Sequence, residues 1–230
     1  MSEKQEIVTI DGPSGVGKST VSKKIAEKLG FTYLDTGAMY RAAGLFLHRL
    51  GVDPEKEKNL SALLDSLDIR FLPPAEKGGD VGILLNGEDI SEIIRTPEIA
   101  MIASHFSTFP EVRKKLTEMQ RALGKKGKIV AEGRDMGTVV FPRARYKFFL
   151  DADPKERTRR RAIQLKEKGV PVDETKLHAM TLERDKNDRE RAVAPLKPAE
   201  DAVVLDTTSS SVDDVVREIL RIIKQKTEKK

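Results

Sequence analysis

Short apolar runs alternate with amphipathic stretches along this chain, the pattern of an α/β fold with a mainly parallel sheet. Residues 6–11, around Ile7-Val8-Thr9-Ile10, are predicted as a first strand. From Ser19 to Leu29 the period becomes helical, with Val21, Ile25 and Leu29 on one face and Gly30 at the stop. Phe31–Asp35 is a second short strand. Thr36 is then expected to cap a helix that turns Met39, Ala42, Ala43, Phe46 and Leu50 inward and closes at Gly51. A third helix is predicted over 55–67.

The rhythm breaks between 68 and 104. Ile69–Leu72 and Gly82–Leu85 have strand character, and Asn86-Gly87 followed by Glu88-Asp89-Ile90 signals a hairpin, because both turn residues tolerate positive φ. This predicts a small antiparallel patch inserted into the α/β domain. Order resumes with helices at 97–107 and 110–124 and core strands at 128–131 and 146–151. Helices at 154–168 and 173–191, a strand at 202–206 and a helix at 212–225 complete the chain. No internal repeat or low-complexity linker interrupts it.

Composition narrows the class. At 230 residues the chain suits one domain with an inserted subdomain, and no apolar run nears the length of a membrane span. The N-terminus enters a strand too early for a secretory signal, so the expected location is cytoplasmic. With no cysteine there is no disulfide, thiolate nucleophile or thiolate metal site, and His48, His105 and His178 stand too far apart in sequence to suggest a metal. The net charge of +5, with 42 basic and 37 acidic side chains interspersed, is too mild to argue for nucleic-acid binding.

The first strand runs directly into Gly12-Pro13-Ser14-Gly15-Val16-Gly17-Lys18-Ser19-Thr20. This is G-x-x-x-x-G-K-S between a strand and a helix, the spacing of a phosphate-binding loop. Its backbone N–H groups can wrap a polyphosphate at the N-terminus of the following helix. Lys18 would reach the β- and γ-phosphates of ATP, and Ser19 would offer its hydroxyl to Mg²⁺.

Four arginine-bearing clusters lie at the ends of predicted elements, where cations could meet a transferring phosphoryl group. Arg41, in Thr36-Gly37-Ala38-Met39-Tyr40-Arg41, is a candidate for a second phosphate or a solvated helix arginine. Arg134 and Asp135, in Glu132-Gly133-Arg134-Asp135-Met136-Gly137-Thr138, lie in a glycine-flanked turn after a core strand. Arg157, Arg159, Arg160 and Arg161 crowd one helix start; their mutual repulsion suits a lid that closes on an anion, while a nucleic-acid patch is the other reading. Arg184, Asp188 and Arg191 recur at i, i+4 and i+7, either as a ligand-facing stripe or as an exposed helix face.

In these motifs the chain resembles the bacterial cytidylate kinases, within the nucleoside monophosphate kinases. The resemblance is carried by the phosphate loop from Asp11, by Leu34-Asp35-Thr36-Gly37-Ala38-Met39-Tyr40-Arg41, and by Ile94-Arg95-Thr96-Pro97-Glu98 and Phe109-Pro110-Glu111-Val112-Arg113. It continues through Glu132–Thr138, Arg184–Asp188 and Ala194-Pro195-Leu196. It spans about residues 5–225. It implies a P-loop NTPase fold, three-layer α/β/α with a mainly parallel sheet. Within one domain, 1–230, it implies a monophosphate-binding region at about 36–113, with the insert at 68–104, and a lid at about 154–168.

The activity implied is transfer of the ATP γ-phosphoryl to CMP or dCMP, with Mg²⁺ bound alongside ATP, by a monomer without nucleic-acid or membrane partners. By the same resemblance Thr36, Ser104, Arg113 and Asp135 surround cytosine, Arg41 and Arg134 hold the CMP phosphate, and Arg184 and Asp188 meet the sugar. Lys18, the lid residues Arg157 and Arg161, and Arg191 act on the phosphates. Some relatives carry serine at the Thr36 position, and the hydroxyl survives here. Some carry aspartate where Glu132 stands, and its longer arm leaves Glu132 outside the assigned metal site.

Rival readings share single motifs only. A regulatory GTPase would need N-K-x-D, whereas Lys186-Asn187-Asp188 has the wrong order. A serine hydrolase would need glycine where Val16 stands. Another P-loop kinase acting on UMP, AMP or shikimate is the nearest alternative, and a substrate panel separates it.

Overall fold

A computed structural model describes residues 5–53, 56–57, 59–74, 76, 79–167 and 169–228. The chain divides into two compact units, one containing residues up to Leu34 and from Lys126 onward, the other Asp35–Lys125.

The first unit is organised around β1 (Gln5–Asp11), whose residues from Ile7 onward are all buried. A strand covered on both faces needs such an apolar run, since neither side meets water. The loop after it leads into α1 (Lys18–Leu29), which closes at Gly30 in the left-handed conformation. The sheet also contains β2 (Thr32–Asp35), β6 (Ile129–Gly133), β7 (Ala144–Asp151) and β8 (Val203–Asp206). Their order is β2-β6-β1-β7-β8, and the pairings β1–β6, β1–β7 and β7–β8 are parallel. Val21 and Ile25 of α1 share one apolar core with Val215, Val216 and Ile219 of α8 (Val212–Glu228) and with Val8, Ile10, Phe148 and Leu150 of the strands. This is the mainly parallel sheet flanked by helices that the hydrophobic pattern predicts.

Helices α6 (Pro154–Glu167) and α7 (Glu174–Glu190) also belong to this unit and pack against each other. Among its residues α7 buries Asp185 and Asp188 rather than an apolar stripe. Polar partners therefore anchor it, and those partners define the site described below.

The second unit opens with α2 (Thr36–Arg49). Its cap is Asp35, not Thr36: the Asp35 carboxylate accepts from Ala38 N at 2.8 Å, and Thr36 is already the first helical residue. Leu50, expected to point inward, is 52% exposed because the helix has ended by that position. The stretch 55–67 contains only the short α3 (Leu60–Asp65), while 55 and 58 lie outside the described residues.

The small antiparallel sheet is present as β3 (Ile69–Leu72), β4 (Gly82–Leu85) and β5 (Glu88–Asp89), in that order. Asn86 and Gly87 have φ of 50° and 88°, the left-handed pair that a two-residue hairpin requires. Helix α4 (Pro97–Phe106), capped by the Thr96 hydroxyl, packs on α2, and α5 (Pro110–Leu123) completes the unit.

Candidate active site

The loop from Gly12 to Thr20 leaves the C-terminal end of β1, the central strand. In an open parallel sheet ligands bind at such strand ends, where the winding direction reverses. Gly12 has φ of 152°, and a Cβ there would lie 2.2 Å from the Leu150 carbonyl oxygen of β7. Only glycine fits a backbone pressed that closely on its neighbour. Val16 is buried in the core and anchors the loop, whereas Ser19 and Thr20 are exposed in the first turn of α1.

Lys18 is only 7% exposed, and its Nζ donates to the Pro13 carbonyl at 2.6 Å, curling across the mouth of its own loop. Burial, with Arg134 and Arg184 nearby, holds its ammonium well below the ordinary value, while Glu132 and Asp188 pull the other way. Such a site gains from a polyanion, because added negative charge relieves crowding among cations.

Around this loop the first unit assembles residues distant in sequence. Arg134, just past β6, donates from Nε to Asp188 Oδ2 at 2.7 Å. Arg191, immediately after α7, lies 3.6 Å from an Asp135 oxygen and 3.8 Å from Asp188, and its Nε donates to the Ala194 carbonyl at 2.7 Å. Arg184 reaches the Ser14 hydroxyl at 3.5 Å. Burial pushes the Asp188 carboxyl up, but Arg134, Arg184 and Arg191 outweigh it and hold it below the usual carboxylate range. Arg134, Asp135, Arg184, Asp188 and Arg191 thus form one charge network beside the phosphate loop.

The arginines of α6 do not converge on one point. Arg157 turns inward: Nε donates to the Ala152 carbonyl at 2.9 Å, Nη1 to the Ser14 carbonyl at 3.0 Å, and the guanidinium forks onto Asp185. Arg159 and Arg160 both pair with Glu156, which draws that carboxyl down to about 2. The repulsion expected among the four is relieved by these two acidic side chains. Arg161 remains half-exposed, with Nη1 3.4 Å from Gln164 Oε1.

The second unit holds the remaining candidates. Thr36 is buried at the start of α2, and Arg41 Nη2 lies 3.4 Å from Asp35 Oδ2. Buried Arg113 stacks over the Tyr40 ring at 5.3 Å and donates to the Ser107 carbonyl at 3.2 Å. Ser104 is half-buried in α4.

Four residues of this architecture escape the sequence motifs as functional parts. Asp11 accepts from the backbone N–H groups of Met136 and Gly137 at 2.8 Å each. Burial pushes its carboxyl up to about 7 against the pull of those two donors; Asp135 adds to the rise and Lys18 opposes it. Asp185 receives Arg157, Tyr40 carries Arg113, and Tyr33 donates its hydroxyl to Glu132. Only partner identity marks these roles, and partners from distant segments leave no periodic trace.

No group of three or more His, Cys, Asp or Glu among the described residues could cage a metal ion. The exposed Ser19 hydroxyl in the first turn of α1 is an oxygen donor of the hard kind that Mg²⁺ takes beside substrate phosphates. No helix among the described residues is long and apolar enough to cross a membrane.

The cytidylate kinase family model matches residues 8–225. A cytidylate kinase of Syntrophotalea carbinolica is 48% identical over 223 residues, covering 97% of this chain and 94% of that protein. The cytidylate kinase of Pasteurella multocida is 49% identical over 219 residues, 95% of each chain. That of Vibrio vulnificus is 47% identical over 226 residues, covering 98% and 99%.

Proposed function

This chain belongs to the cytidylate kinase family, and we infer that it transfers the γ-phosphoryl group of ATP to CMP or dCMP, yielding CDP or dCDP. The observation that best supports this reading is the phosphate loop with its buried Lys18, set among Arg134, Arg184 and Asp188. Here a polyphosphate donor and a monophosphate acceptor find cations on one set of strand ends. The enzyme is read as a cytoplasmic monomer.

The acceptor is a phosphate monoester with a second pKa near 6, so at neutral pH it is mostly a dianion and already a nucleophile. A general base is not required. The barrier lies in joining two polyanions and excluding water. Lys18 and the loop amides stabilise the charge that moves toward the ADP leaving group. Ser19 would hold Mg²⁺, which would supply further charge neutralisation when bound.

Arg134 and Arg41 hold the acceptor phosphate. Arg184 and Asp188 position its sugar, and Arg191 steadies Asp135 and approaches the phosphates. Thr36, Ser104 and Arg113 complete the base pocket. The Asp135 carboxylate accepts from the cytosine N4 amine, where uracil presents an acceptor; this is worth about 1–3 kcal/mol of discrimination. Arg161 closes over the phosphates as part of the lid.

Turnover with ATP and Mg²⁺ against CMP, dCMP, UMP, AMP, GMP and shikimate tests the reading. Fast CDP and dCDP formation is expected. Strong activity on another acceptor alone would keep a P-loop kinase and remove the cytosine assignment.

A further inference from the structure

The phosphate loop turns at Ser14 and Gly15 directly against the first turn of α6. A Cβ on Gly15 would lie 3.0 Å from the Arg157 carbonyl oxygen and 3.3 Å from the Arg157 Cβ. Among the described residues the donor to the Ser14 carbonyl is Arg157 Nη1, at 3.0 Å, and no acceptor takes the Gly15 N–H. The Ser14–Gly15 peptide is trans, so its C=O and N–H point in opposite directions. Holding the oxygen on Arg157 therefore turns the N–H away from α6. Left unheld, this peptide could turn over, because Gly15, with φ of 77°, is equally at home at negative φ. The guanidinium that holds it is itself fixed. Asp185 of α7 accepts Nη1 at 3.1 Å with one oxygen and Nη2 with the other, and the Ala152 carbonyl accepts Nε at 2.9 Å. Helix α7 also addresses Ser14 directly, with Arg184 Nη1 3.5 Å from its hydroxyl.

We propose that Arg157 is a positioning residue for the phosphate donor: oriented by Asp185, it fixes the Ser14–Gly15 peptide so that the Gly15 N–H faces the bound polyphosphate. The proposal rests on the reading of the Gly12–Thr20 loop as the ATP site. With its side chain 1% exposed, Arg157 acts through the loop backbone and not by touching phosphate itself. The bidentate fork matters here, since a lysine keeps the charge but cannot hold a carbonyl and a carboxylate in one rigid plane.

The experiment measures the Kd for ATP with Mg²⁺ by calorimetric titration, and KM for ATP and CMP, in the wild type, Arg157→Lys and the double variant Arg157→Met with Asp185→Leu. The double variant removes both buried charges together, so it separates stability from positioning. It is expected to bind ATP about tenfold or more weakly, the effect of losing a hydrogen bond from a charged donor. Its KM for CMP should stay within about threefold of the wild type. Arg157→Lys should weaken ATP in the same direction and serves by the same criteria if the double variant does not fold. A merely structural pair predicts ATP affinity equal to the wild type in whichever of these variants folds, and that result overturns the positioning role. Equal rises in the two KM values overturn it as well, since they would mark a general displacement of α7. A wild type that binds no ATP removes the reading of the loop, and the proposal with it.

Discussion

Arg157 and Asp185 form a buried two-pronged ion pair, their side chains 1% and 6% exposed, and the same guanidinium holds the Ser14 carbonyl of the phosphate loop. Three parts of the chain meet on one side chain. A buried pair broken on one side leaves an uncompensated charge, typically costing about 3–5 kcal/mol. Arg157→Ala should therefore lower stability by about that amount, read by urea unfolding. Arg157→Met with Asp185→Leu, which removes both charges, should recover most of the loss. Stability unchanged in Arg157→Ala would mean the pair does not hold α7 to the loop.

Arg161 should behave differently. It is half-exposed on α6, with Nη1 3.4 Å from Gln164 Oε1. As a lid arginine, its change to alanine should cut turnover by about 10³-fold, in the range of arginine fingers, and leave unfolding within about 0.5 kcal/mol. A drop in stability without a drop in kcat would contradict its place in the lid.

Tyr40 supports Arg113 through its ring face, 5.3 Å from the guanidinium carbon. Such contacts contribute about 0.5–2 kcal/mol. Tyr40→Leu is expected to raise the KM for CMP by roughly two- to thirtyfold with kcat little changed, while Tyr40→Phe keeps the ring and the affinity. Equal KM values for the two variants would show that the ring face is not what holds Arg113.

The Asp11 carboxyl, pushed up to about 7, binds a proton in the folded state that the unfolded chain, near 3.8, releases earlier. Between about pH 4 and pH 7 the folded state therefore holds more protons, and stability falls as pH rises through that window. Over the full interval the effect is on the order of 4 kcal/mol. Urea unfolding of wild type and Asp11→Asn at pH 5 and pH 8 should show the wild type losing stability relative to the variant at the higher pH. A difference that stays flat would mean that Asp11 titrates as an ordinary carboxylate.

The legible part of this protein lies in short-range relationships. The loop from Gly12 to Thr20 is a spacing rule, and the apolar run of β1 and the faces of α1 and α8 follow from local periods. The Asn86-Gly87 turn is written in two residues whose backbone tolerates positive φ. The family strings around Thr36, Arg134 and Arg184 are likewise contiguous.

What the tertiary structure alone decided is which charge meets which. That Arg157 turns inward to Asp185 while Arg159 and Arg160 turn to Glu156 depends on how α6 packs against α7. That Asp11 serves the Met136 turn depends on β1 lying beside β6, which brings its carboxylate within reach of the Met136 and Gly137 N–H groups. Hydrophobic periodicity is a property of neighbours along the chain and can be read from them. Ion pairs and borrowed caps join residues far apart in sequence, 189 positions between Lys24 and Asp213 and 125 between Asp11 and Met136, and exist only once the backbone has folded.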